Sequence, residues 1–323
     1  MNHIQFILRC LLAASSLATT AHTFAQSAYP DRPIRLVVGF SAGGGADNIA
    51  RPLADAMGRA LGQSVVVENK PGAGTTLAAS TVAHSPADGY TLMLLTSTNT
   101  ISPSMYKSLS YEPATAFNMI SLIARGPMMI VASKGSGIRT LADLIARAKK
   151  EPGKLNYGAG GVGTTPHLAA LVLQREAGIQ MTHIPYKGGS DTAVALMSGQ
   201  IDVQFGTPPA VAPIASRSNV LAVTTEKQTA LEPGVPAAGE TVKGYEVSSW
   251  YGIGGPAGMT PDVIAKLSQA VHSALADERL RKQFALLGVE ANPSSPQEAD
   301  KLYAAELAKW SVVVHDENLK AEN

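Results

Sequence analysis

The sequence predicts an α/β fold of two doubly wound domains, each a sheet with helices against it. Three observations carry that expectation. Short β-branched runs alternate with helical stretches, small glycine- or hydroxyl-rich turns join strand to helix, and no repeat or long linker breaks the series. With 323 residues, 45% hydrophobic and 16% charged, the chain can build two ordinary domains with a sizeable core.

The elements follow in order. Ile34–Val38 is a short apolar run ending at Gly39, and Ile49, Leu53, Met57 and Leu61 recur every four residues along one helix face. Val65, Val66 and Val67 form a second strand, and residues 90–95, after the Asp88-Gly89 turn, form a third. Strand, helix, strand at this spacing predicts right-handed winding around a parallel sheet. The same alternation returns with strands near 129–131, 155–157, 182–184, 202–205 and 220–223. Helices are expected between them, from a capping box at Thr140 and Asp143, from Thr165 and from about Ser190. The end of the chain is helical: Thr260-Pro261 starts one helix, and Ser295 with Glu298 caps the last.

The N-terminus sets the compartment. A basic start to Arg9, a short apolar stretch and Thr23-Phe24-Ala25 before Gln26 have the layout of a secretory signal peptide over residues 1–25. The apolar stretch falls short of the ~20 residues that span a bilayer. Cys10, the one cysteine, lies in that segment, so disulfides, zinc-thiolate sites and a cysteine nucleophile are not expected in the mature chain. Lys and Arg number 26 against 25 Asp and Glu, and removal of Arg9 balances them. This argues against nucleic acid and against an anionic membrane surface. The expected product is a periplasmic protein, monomeric and without cofactor or metal.

Four strand-to-helix turns hold the candidate site: Ser41 to Asp47, Thr96 to Thr100, Gly160 to Pro166, and Gly206 to Pro209. Such turns lie at the carboxyl ends of strands, where open α/β sheets bind ligands. Glycine lets backbone amides approach closely, small hydroxyls add hydrogen bonds, and helix N-termini favour anions. Dipoles of about 0.3–1 kcal/mol each and hydrogen bonds of about 1.5–3 kcal/mol each to a charged group reach micromolar affinity without an arginine. The candidate ligand-binding residues are Ser41, Ala42, Gly43, Gly44, Asp47, Ser97, Thr98, Gly163, Thr164, Thr165, Thr207 and Pro208. Asp47 is expected to order the loop amides rather than meet an anion. His167 either faces the cleft or packs, and Arg51 and Arg125 either clamp a carboxylate or make ordinary ion pairs.

Two glycine motifs and the histidines raise enzyme readings. Gly39, Ser41 and Gly43 match G-x-S-x-G, making a secreted serine hydrolase with Ser41 as nucleophile the alternative. Against it, no strand upstream of Ile34 supplies an oxyanion loop, and no recognisable triad setting surrounds the available Asp and His residues. Gly158, Gly160 and Gly163 match G-x-G-x-x-G, but residues 181–185 lack the carboxylate that would hold a ribose. The seven histidines show no metal-ligand spacing.

The motif ensemble resembles the Bug/TctC family, the extracytoplasmic solute receptors of tripartite tricarboxylate transporters. The likeness covers essentially the whole mature chain. It runs through Tyr29-Pro30, Val37 to Gly44, Asp47, Ala50-Arg51, Val66 to Gly74, Asp88 to Leu92, Gly161 to Thr164 with His167-Leu168, and His183 to Gly188. The resemblance implies a type II periplasmic-binding-protein fold with two crossover hinges. One domain would comprise 29–125 plus 251–323 and the other 126–250. It implies closure on a small organic acid, held by Ser41 to Gly44 and by Gly163, Thr164 and Thr165, and delivery to integral-membrane permease subunits. Gly39 and Ser41 stand where prolines are common in the family, a departure that alters loop stiffness.

Overall fold

The computed structural model describes residues 29–106 and 108–316, so the candidate signal segment and Cys10 lie outside the described residues. Residues 29–31 carry a cis Tyr29–Pro30 peptide bond. From Arg32 onward the chain forms one body around two sheets.

The first sheet begins with β1 (Ile34–Val38), α1 (Gly45–Leu61), β2 (Val65–Asn69), α2 (Thr76–Ala83), β3 (Thr91–Thr96) and α3 (Thr98–Met105). The chain then runs through β4 (Phe117–Pro127) and passes to β5 (Met129–Ser133). The second sheet follows with α4 (Leu141–Lys150), β6 (Asn156–Ala159), α5 (Thr165–Ala177), β7 (Thr182–Pro185), α6 (Gly189–Met197), β8 (Val203–Gly206), α7 (Pro208–Val211), β9 (Ser218–Val223) and α8 (Ala238–Thr241). Then β10 (Ser248–Pro256) rejoins the first sheet, before α9 (Pro261–Ala276), α10 (Glu278–Leu286), β11 (Glu290–Ala291) and α11 (Pro296–Asp316).

Strand order is β11-β4-β10-β3-β1-β2 in the first sheet and β7-β6-β8-β5-β9 in the second. The parallel winding predicted for β1, β2 and β3 is present, as it is for β6 with β7 and β8. Both sheets are nevertheless mixed. β10 runs antiparallel to β3 and β4, and β5 runs antiparallel to β8 and β9. The reason is geometric: β10 enters the first sheet at the end where β3 leaves it, with Tyr251 opposite Thr96.

Only Met128 separates β4 from β5, and β10 follows directly on Val247. One buried side chain ties these crossings together. Thr224 Oγ1 accepts from the Met128 amide at 2.7 Å and donates to the Val247 carbonyl.

Local chemistry explains the helix starts. Thr140 and Asp143 form the reciprocal capping box, Thr260 accepts from the Val263 amide, and Ser295 with Glu298 closes a second box. Each sheet has its own apolar core. Val37, Met93 and Leu95 pack with Ala78, Val82 and Tyr303 in the first, and Ile130, Tyr157 and Phe205 pack with Leu144, Leu173 and Tyr245 in the second. No helix among the described residues is long and apolar enough to cross a membrane.

Candidate functional site

The turns of the two sheets meet around a small inner cavity of about 50 Å³. Four of the sequence-predicted residues line it: Ser97, Thr98, Thr165 and Thr207. Three of these share hydrogen bonds between the sheets. Ser97 Oγ lies 2.7 Å from Thr165 Oγ1, Thr98 Oγ1 lies 3.2 Å from the same oxygen, and the Thr165 amide donates to Thr98 Oγ1 at 3.1 Å. No charged side chain lines the cavity. Instead it meets the first residues of four helices: Gly45 and Ala46 of α1, Thr98 of α3, Thr165 and Pro166 of α5, and Gly189 of α6. Their opening amides and dipoles make an anion-favouring surface without a cation.

The remaining predicted residues stand around the cavity or behind it. Ser41 donates to Asp191 Oδ2 of the second sheet's α6 at 2.8 Å, and Ser190 Oγ donates to the Ala42 carbonyl at 3.1 Å. Gly44 lies close to the Gly189 and Ser190 amides: a Cβ there would sit 3.6 Å and 3.7 Å from their nitrogens. From this first turn, Phe40, Gly45 and Ala46 form cavity wall, whereas Ser41, Ala42 and Gly44 meet the opposing turn. Pro208 is the buried first residue of α7. Thr164 caps α5, accepting from the His167 amide at 3.4 Å and donating to the Gly161 carbonyl at 2.8 Å.

Asp47 is buried and faces the protein. Its Oδ2 accepts from the Gly43 amide and from Arg51 Nε, both at 2.8 Å, and its Oδ1 accepts from Asn69 Nδ2 at 2.9 Å. Burial alone would raise its pKa. The bonds from Arg51, Gly43 and Asn69 outweigh that and hold the carboxyl below its ordinary range. Arg51 is thereby engaged with Asp47 and Asn69, and Arg125 makes an exposed pair with Glu290 at 3.4 Å. Neither arginine reaches the cavity wall.

His167 packs and also works as an acceptor. It is buried, its ring centroid lies 4.3 Å from that of His183, and its Nδ1 accepts from the Gly163 amide at 3.3 Å. Burial first, and the neighbouring His183 second, push its pKa down to about 3. Burial takes His183 to about 4.

Sequence reasoning missed several residues that the fold brings here. Gly188, Gly189, Ser190 and Asp191 form a fifth strand-to-helix turn of the same composition as the other four, so its signal was present. Trp250 and Tyr251 line the cavity from the start of β10, and nothing local announces that. Neither Trp250 Nε1 nor Tyr251 Oη has a hydrogen-bond partner of good geometry, although both atoms are buried. Thr207 and Ser249 flank Tyr251, whose phenol burial pushes up to about 12, so it stays protonated as a donor. Trp250 also packs against Tyr303 in the core of the first sheet. Thr75 is strained at φ 75°, a rare state for a β-branched residue. Asn99 Nδ2 donates to its hydroxyl at 3.0 Å, and Asn99 Oδ1 accepts from the Thr96 amide at 2.8 Å, so this strained turn is fastened to the cavity's edge. Among the described residues no His, Cys, Asp and Glu cluster could hold a metal.

Comparison with known proteins agrees with this architecture. The protein described as periplasmic binding protein BugD superposes with a TM-score of 0.87 at 32% identity, covering 91% of this chain and all of that one. R. palustris Rpa4515 with adipate gives 0.86 at 32%, covering 90% of this chain and 99% of that one. MatC from Rhodopseudomonas palustris with bound malate gives 0.84 at 28%, covering 88% and 100%. The model of the tripartite tricarboxylate transporter family receptor, TctC, matches residues 49–319. With two mixed sheets joined by two crossings and a cavity at their facing turns, the chain has the periplasmic-binding-protein fold and belongs to the TctC receptor family.

Proposed function

We propose that the chain is a periplasmic receptor that captures a small organic carboxylate and hands it to permease subunits of a tripartite transporter. The ligand is a di- or tricarboxylate, aliphatic or aromatic. It is enclosed as a domain of residues 29–125 plus 251–323 closes on a domain of residues 126–250. The observation that carries this is a cavity walled by both sheets, free of charged side chains, onto which four helix N-termini and small hydroxyls open. Ser97, Thr98, Thr165 and Thr207 are the direct contacts in this reading. Ser41 to Gly44 and Gly163-Thr164 hold the facing turns in register, and Asp47 orders the first of them. The relatives solved with adipate and with malate fit the ligand class.

Binding without chemistry is favoured over hydrolysis at Ser41. Its hydroxyl donates to the Asp191 carboxylate, where a nucleophile would donate to an imidazole acting as base. A thermal-shift screen of mono-, di- and tricarboxylates tests the reading. An acid present at 100 times its Kd adds about 2.7 kcal/mol of stability and raises the melting temperature. Silence across the panel sinks the proposal. Turnover of an ester by the wild type that disappears in Ser41→Ala establishes the hydrolase in its place.

A further inference from the structure

The inner cavity has a neighbour. Outside it lies a cleft of about 530 Å³, roughly ten times the inner volume, bounded by Gly72 to Thr75 on one side and Gly160 to Val162 on the other. Gly160 borders both spaces, Phe40 borders the inner one, and Gly39 borders the outer one. The partition is therefore thin. A Cβ placed on Gly160 would lie 3.6 Å from Phe40 Cε1 and 3.9 Å from Cδ1, which is ordinary contact. The Cδ1–Cε1 edge of the Phe40 ring thus faces Gly160 with room for one methyl between them, and the ring is half-buried rather than part of a closed core. Its backbone is held independently, because Asn69 Nδ2 donates to the Phe40 carbonyl at 3.0 Å.

The chemistry changes across that partition. The inner side has no charged side chain, whereas Lys187 and Asp191 border the outer side. Asp191 is engaged by Ser41; Lys187 is exposed and makes no ion pair among the described residues. Beyond the ring there is room for more chain and a cation for a distal carboxylate.

We infer that the Phe40 ring against Gly160 is the end wall that sets how long a ligand this receptor accepts. Acids that end at the ring fit the inner cavity. Longer ones must displace the ring to reach the outer cleft. The inference rests on the carboxylate-receptor reading and adds to it a single specificity-determining side chain.

The test is isothermal titration of the mature chain with linear α,ω-dicarboxylates from succinate to sebacate, for the wild type, Phe40→Ala and Gly160→Ala. The wild type shows a preferred length with a steep loss beyond it. Phe40→Ala joins the two spaces and moves the preferred length upward, with the longer acids gaining about tenfold relative to the shortest as extra methylenes are buried. Gly160→Ala, whose methyl has room, braces the ring and weakens the longest acids about tenfold while sparing the shortest. Should Phe40→Ala fail to fold, Gly160→Ala decides alone. An unchanged length order in both variants, or an equal loss at every length, overturns the wall while leaving the receptor intact. A wild type that binds no diacid of any length overturns the receptor reading and the wall together.

Discussion

The first turn of the first sheet and the glycine turn of the second solve one problem with different chemistry. In each, a glycine at positive φ, Gly43 at 73° and Gly163 at 77°, donates its amide to the side chain four residues later. The acceptor is a buried carboxylate in one case, Asp47, and a buried neutral imidazole in the other, His167. Both arrangements fix the turn before a ligand arrives, so that ordering it is not charged to binding. They differ in what they tolerate. A carboxylate needs Arg51 and Asn69 to remain ionised in the interior, whereas an imidazole needs only to stay unprotonated. The cation in this site thus serves the protein's own anion, and the cavity remains uncharged.

That comparison breaks most readily at Asp47. Asp47→Leu leaves the Gly43 amide, Arg51 and Asn69 without their common acceptor and is expected to destabilise by about 3 kcal/mol. The check is urea denaturation with an unchanged m-value, and a loss under 1 kcal/mol would mean the turn holds itself without the carboxylate. Asp47→Asn, which keeps one acceptor oxygen, should recover part of the loss.

The His167 turn should show its character in acid. A histidine depressed on folding binds its proton more readily in the unfolded chain. Its contribution is therefore full above about pH 6.5 and drains as the pH falls toward about 3. His183, depressed to about 4, acts in the same direction and Asp47 adds its loss below the ordinary carboxylate range. Melting temperatures of the wild type should fall from pH 7 to pH 4. His167→Leu should lower stability by about 1–2 kcal/mol at pH 7, through the orphaned Gly163 amide, yet flatten the slope below pH 6.5. An unchanged slope would show that His167 titrates normally and is not the buried acceptor.

The two glycines themselves sharpen the contrast. A Cβ on Gly163 would lie 3.2 Å from Ser102 Cα and 3.4 Å from Met105 Sδ, both on α3 of the first sheet. Gly163→Ala therefore strains the turn and also pushes the facing turns apart, so ligand affinity should weaken about tenfold. Gly43→Ala meets nothing within 4 Å and is expected to lose only about 1 kcal/mol of stability from its positive φ, with affinity changed less than twofold. Equal affinity losses at both positions would mean that the Gly163 contact across the sheets has no part in closure.

Most of the strand and helix order was legible because its causes are local. Thr140 with Asp143, Thr260 with Pro261, and Ser295 with Glu298 start helices through bonds spanning three or four residues, and β-branched runs mark strands wherever they are buried. The ordering of its own loop by Asp47 is legible for the same reason, since the bond to Gly43 spans four residues. The long β4 ends on Gly126-Pro127, a turn signal beside the crossing expected near residue 125, yet the strand itself went unpredicted because the chain passes to the second sheet through Met128 alone. The antiparallel entry of β10 was equally hidden, because its direction follows from where the returning chain rejoins the first sheet and not from its residues.

The amino-acid order by itself determined the two-sheet architecture and the small-residue turns, since caps, periodicity and glycine spacing act over a few residues, and its motif resemblance pointed to the family. Tertiary structure alone decided which turns share a wall. The Ser41–Asp191 bond joins residues 150 positions apart, and the seating of Phe40 opposite Gly160, of Tyr251 beside Thr207 and of His167 against His183 each requires separate elements to be packed first. Such contacts depend on three-dimensional distance, which residue spacing along a chain does not encode.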